Sequence, residues 1–138
     1  MTESYSNDVI EKANRKGASL SKSPDRLYSF FETPIFMKQI AQRASMKVLF
    51  AIEDDLLKNP ERGDVIQGTH GARKARIGDP ASGRGKRGSY RYIYAHFPGY
   101  HHIILLYLFA KNDTADVSVK VKMQLGDLVN QIKEAIKK

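Results

Sequence analysis

Residues Ile103 to Ala110 read Ile-Ile-Leu-Leu-Tyr-Leu-Phe-Ala, apolar at nearly every position. This run constrains the fold more than any other segment. A strand with one solvated face alternates apolar and polar residues, so a run without alternation fits a central strand covered on both faces. At eight residues it is too short to cross a bilayer, which takes about 20 apolar residues in a helix. The chain has 138 residues, enough for one domain and too few for two. It contains no cysteine, which excludes a disulfide scaffold and a thiolate zinc site. The start, MTESYSNDVIEKANRK, lacks an apolar core followed by a small-residue cleavage site. The expectation is a soluble, cytoplasmic protein without a membrane partner.

Residues 1–26 are polar and mixed in charge, and the expectation is a mobile tail ahead of a single domain over residues 27–138. Leu27 to Glu32 is rich in aromatics and reads as a short strand. Thr33-Pro34 then matches an N-cap followed by proline in the first helical position. Ile35, Phe36, Ile40 and Ala44 continue at helical spacing. A second helical stretch over about Met46 to Lys58 carries Val48, Leu49, Ile52, Leu56 and Leu57 on one face. Ser45 is the expected joint, and Asn59-Pro60 the stop. Beyond Gly63 come short β-type stretches, with strands expected over about Ala72 to Ile77 and Ser89 to Phe97. The intervening 78–88 holds four glycines and no large apolar residue, so it reads as a loop. The C-terminal stretch fits both periods. Val117, Val119, Val121 and Met123 alternate, whereas Val121, Leu125, Leu128, Val129, Ile132 and Ile136 fit a helix. We choose a helix capped by Ser118, with Gly126 as a cost to it. The order is strand, two helices, several strands, helix. It describes an α+β domain: a small, mostly antiparallel sheet with two N-terminal helices on one face and a C-terminal helix.

The formal charge is +8, and it is unevenly placed. Between His70 and Arg91, a span of 22 residues, seven basic residues face one acid, Asp79. Like charges crowded this way repel unless an anion neutralises them, which points to an anionic partner. On a strand, Lys74 and Arg76 project to the same side. If Tyr92, Tyr94 and His96 face the helices, Arg91 faces the opposite, exposed side. The loop between would bring Arg84, Lys86 and Arg87 to the same rim. Such a surface suits a phosphodiester backbone, with aromatic faces for bases to stack on.

RNA cleavage by internal attack of a 2′-hydroxyl needs a base, an acid and stabilisation of a crowded phosphorane. Arginine stays protonated and can serve only the last of these, through its bidentate fork. A lysine among other cations can have its pKa lowered enough to exchange protons, and Lys74 and Lys86 are the candidates. Among the histidines, His70 alone is expected near the cations. His96 reads as a packed or rim residue, and His101 and His102 as solvated. No two histidines share a helix turn with an accompanying acid, so no metal site is expected. Packing is the favoured role for Tyr90, Tyr92 and Tyr94.

The ordered set Thr33-Pro34-Ile35-Phe36, Asn59-Pro60, Gly63-Asp64-Val65-Ile66, Gly68-Thr69, Gly71, Arg73-Lys74, Arg76, Gly85-Lys86-Arg87-Gly88, Arg91, Ile93-Tyr94 and Lys111-Asn112 resembles the RelE/HigB-type toxins of bacterial toxin–antitoxin systems, closest to the HigB-like branch. The resemblance covers about residues 27–120. It implies a RelE-like microbial ribonuclease fold with two helices against one face of the sheet and an active surface on the other. It implies a metal-independent, cofactor-free endoribonuclease that enters the ribosomal A site, cuts mRNA under translation and so inhibits it. A cognate antitoxin would neutralise it, and DNA would be met only through the antitoxin complex. Carried over by motif, Lys74, Arg76, Arg91 and Lys86 are the candidate catalytic residues; His70, which the motif does not supply, is a weaker candidate from its place beside the basic strand. Arg73, Arg84, Arg87, Lys111, Asn112 and Tyr94 are the candidate RNA contacts. The sequence departs from the family pattern at His70, Ala72 and Ala95, and Ala95 stands where a second tyrosine is common. That departure keeps open an RNA- or ribosome-binding module without cleavage, and an interaction protein for an acidic antitoxin segment.

Overall fold

The computed structural model describes residues 28–80, 90–111 and 116–137, together with the backbone of Ser19–Leu20. Arg84, Lys86, Arg87 and Asn112, and most of the N-terminal tail, lie outside the described residues. Six strands, β1 (Ser19–Leu20), β2 (Ser29–Glu32), β3 (Asp64–Val65), β4 (Arg73–Ile77), β5 (Tyr90–Phe97) and β6 (His102–Ala110), form one sheet in the order β1-β2-β6-β5-β4-β3. Neighbouring strands are antiparallel except β2 and β6, which run parallel. Helices α1 (Pro34–Arg43) and α2 (Met46–Lys58) follow β2, and α3 (Val119–Lys137) ends the chain. The domain is α+β with a mostly antiparallel sheet, as the element order predicts. The short edge strand β1, inside the stretch expected as a tail, was not legible in the sequence.

Local chemistry sets the boundaries. Thr33 caps α1, its Oγ1 accepting from the Phe36 amide at 3.1 Å, with Pro34 opening the helix. Its hydroxyl also donates to the Leu106 carbonyl at 3.0 Å. That carbonyl lies where the β5–β6 register slips, with Ile93 opposite Tyr107 and Tyr94 opposite Leu105. Gln39 Oε1 accepts from the Leu108 amide at 2.7 Å. A cap and one buried amide thereby fasten α1 to the irregular part of β6 and satisfy backbone groups that the ladder leaves over. Ser45 precedes α2 and separates the two helices, and Ser118 Oγ accepts from the Val121 amide at the start of α3.

Each face of the sheet has its own core. On the first, Phe36, Ile40, Val48, Leu49, Ile52 and Leu56 of α1 and α2 pack on Phe30, Ala75, Tyr90, Tyr92, Tyr94, Ile103, Leu105 and Leu108. On the second, Leu125, Leu128, Val129 and Ile132 of α3 pack on Phe31, Ala72, Ile93, Ala95, Phe97, Ile104 and Leu106. The unbroken apolar run of β6 is therefore covered on both sides, as its lack of alternation requires. The cover on the second face is α3, which takes up much of the face that the resemblance gives to the active surface. Ile93, Ala95 and Phe97 would expose a continuous apolar surface there, and α3 carries the helical stripe that buries it. Ala95, of the same strand parity as Arg91, is only 2% exposed beneath this cover.

Gly126 has a specific role in seating α3. A Cβ there would lie 2.9 Å from the Gly68 carbonyl oxygen and 3.1 Å from Thr69 Cα. The turn of residues 67–71 thus rests directly on the helix backbone. Its path needs left-handed residues at Gly68 (φ 83°), His70 (φ 58°) and Gly71 (φ 108°).

Candidate nucleic-acid interface

The pairing of β4 with β5 determines which cations meet. Arg76 stands directly opposite Arg91, and Lys74 opposite Ile93. Residues two apart on a strand share a side, so Lys74, Arg76 and Arg91 occupy the second face. Ala72, Ile93 and Ala95, of the same parity, belong to its core. Arg76 is exposed and Arg91 half-buried. Like charges directly opposite across a ladder destabilise a sheet. The register sets Arg76 and Arg91 in that arrangement. Lys111 is exposed two residues beyond Phe109, the register partner of Arg91, at this same end of the sheet.

Lys74 is differently placed. Its Nζ lies 3.0 Å from Asp116 Oδ1, and Lys122 Nζ, from the first turn of α3, lies 3.6 Å from Asp116 Oδ2. The carboxylate also accepts from the Val117 amide at 2.8 Å. Burial acts to raise the Asp116 pKa, but the hydrogen bonds from Lys74 and the Val117 amide outweigh it and hold the carboxyl below its ordinary value. Asp64 stands opposite Lys74 across β3 and β4. The cationic strip thus has two parts: an arginine pair across the ladder, and a lysine pair bridged by a carboxylate.

Two candidate contacts belong elsewhere. Arg73 has the other parity, and its guanidinium donates to the carbonyls of Glu61 at 3.1 Å and Gly63 at 2.7 Å. It fastens the chain after α2 to β4 rather than facing the strip. Tyr94 is fully buried in the first core. Its hydroxyl donates to the Pro60 carbonyl at 2.8 Å and accepts from the Gly63 amide at 3.0 Å. Burial pushes its pKa up, and that of neighbouring Tyr92 to about 12. No base can stack on either ring without opening the core. The tyrosine on the second face is Tyr107, half-buried against the α3 core and paired in register with Ile93. Its place in an unbroken apolar run gave no hint of this, because the slip near Leu106 decides which way it faces.

His70 lies in the turn before β4, its carbonyl accepting from Lys133 Nζ at 2.6 Å and its ring lying close to Gly126 of α3. It stands at the end of β4 away from Arg76 and Arg91. His96 is on the first face, its Nε2 hydrogen-bonded to the Tyr28 hydroxyl at 3.0 Å and its Nδ1 3.9 Å from Glu61 Oε2. Burial lowers its pKa, which Glu61 partly offsets. It is a packed histidine, as its parity predicts. His102 is half-buried, with its ring edge-on to Phe31, rather than solvated as expected. Among the described residues no group of His, Asp and Glu is arranged to hold a metal ion. Among the described residues no helix is long and apolar enough to cross a membrane. The chain matches no protein-family model.

Proposed function

We propose that the protein is a RelE/HigB-type toxin: a cytoplasmic, ribosome-dependent mRNA endonuclease that inhibits translation and is neutralised by an antitoxin. The observation that carries this reading is the placing of Arg76 opposite Arg91 on one face of the sheet, with Lys74 two residues from Arg76. Two guanidiniums held this way can fork onto the non-bridging oxygens of one phosphate and stabilise the extra charge of a phosphorane. The α+β architecture and the ordered motifs agree with the family resemblance. Positioning by the ribosome would supply much of the rate, so the protein need add little beyond charge.

The reading expects Arg91→Ala and Arg76→Ala each to slow cleavage by about 10²–10³-fold, the usual cost of one transition-state donor. Growth on induction should recover, and the cut ends seen by primer extension on translated mRNA should disappear, while the variants stay folded. Undiminished toxicity of a folded Arg91→Ala variant refutes the reading.

A second reading, an RNA- or ribosome-binding module without cleavage, draws on the packed position of His96 and the carboxylate already held by Lys74. Purified ribosomes carrying a mapped mRNA separate the two. Occupancy of the A site without cut ends supports the second.

A further inference from the structure

The Lys74–Asp116–Lys122 bridge joins the sheet face to the first turn of the helix that crosses it. Asp116 offers one oxygen to each lysine, at 3.0 Å to Lys74 and 3.6 Å to Lys122. This is the way two non-bridging oxygens of a phosphodiester would meet the same two ammonium groups. Both lysine side chains remain about one-third exposed, so an incoming anion can reach them. The first turn of α3 carries Lys122 and no acid, although acids are the residues favoured at a helix N-terminus.

We propose that Lys74 and Lys122 form one phosphate subsite beside the Arg76–Arg91 pair, and that Asp116 fills it as an internal competitor until an RNA phosphate displaces it. This rests on the reading of the second face as an RNA surface and extends it with a further contact, Lys122, and a built-in brake. In water an exposed ion pair contributes little, so the brake is weak enough for a polyanion to release. It lowers affinity for stray RNA, while a chain that engages the arginines at the same time still displaces the carboxylate.

The test uses the full chain and a single-stranded 2′-O-methyl RNA oligonucleotide, which lacks the attacking hydroxyl and cannot be cut. Binding is followed by fluorescence anisotropy from 50 to 200 mM salt. Asp116→Asn should tighten binding about two- to fivefold, the fold-change equivalent of releasing an exposed ion pair. Its salt dependence should steepen toward one further phosphate contact, about 0.7 in the log–log slope for a single strand. Asp127→Asn, the same change in charge at an exposed position of α3, should tighten it much less. Lys122→Ala should weaken binding more than Lys120→Ala, which makes the inference testable even if Asp116→Asn proves misfolded by circular dichroism. If Asp116→Asn equals Asp127→Asn and Lys122→Ala equals Lys120→Ala, while Arg91→Ala still weakens binding, the subsite is refuted and the RNA surface stands. If wild type shows no salt-dependent binding at 50 mM, both fall together.

Discussion

Replacing Gly126 by alanine sets two effects of known sign against each other. Inside an exposed helix the change should stabilise by about 1 kcal/mol, because alanine loses less backbone freedom on folding. Here the new methyl would sit 2.9 Å from the Gly68 carbonyl oxygen and 3.1 Å from Thr69 Cα, both backbone atoms. Neither can swing aside like a side chain, and the left-handed φ values at Gly68, His70 and Gly71 leave the turn few other paths. Overpacking of this kind costs about 1–3 kcal/mol. Backing the turn away from α3 also disturbs the 2.6 Å bond from Lys133 Nζ to the His70 carbonyl, worth about 0.5–1.5 kcal/mol. The sum is a net loss of about 0.5–3.5 kcal/mol, against the direction of helix propensity. Urea unfolding followed by circular dichroism should show a midpoint lowered by roughly 0.3–1.7 M at unchanged slope, for a slope of about 2 kcal/mol/M. Gln124→Ala, exposed on the same helix, should leave the midpoint within the error of the measurement. A Gly126→Ala variant more stable than wild type would show that the turn does not rest on the helix, and with it would go the account of how α3 is seated over the sheet.

Tyr94→Phe removes a hydroxyl that both donates to the Pro60 carbonyl and accepts from the Gly63 amide. It should cost about 1–3 kcal/mol in chemical denaturation while leaving RNA affinity unchanged. An affinity loss in the folded variant would return Tyr94 to the interface. The His96 pKa is lowered from 6.5 in the folded state, chiefly by burial, so unfolding takes up protons as the medium turns acidic. Its contribution to stability is complete above about 6.5 and is lost as pH falls through the lower folded-state value. The stability of His96→Gln should therefore fall less than that of wild type between pH 7.5 and 5, and an identical slope would refute the burial argument.

The elements themselves were legible in the sequence because each rests on local chemistry. Thr33-Pro34 marks the start of α1 by its cap, Ser45 the joint, and the unbroken run after Ile103 a strand buried twice over. The parity of Arg91 against Tyr92 and Tyr94 followed from the two-residue period of a strand, so the side on which Lys74, Arg76 and Arg91 stand could be read before any coordinates. Parity does not say what else lies on that side. Only the tertiary structure put α3 across the second face, tied Arg73 to the backbone after α2, turned Tyr107 to the second face at a register slip and set Asp116 between Lys74 and Lys122. These meetings join separate elements of the chain. Their partners are chosen by which apolar surfaces must be covered and which polar groups are left over, and no local period in the chain encodes that choice.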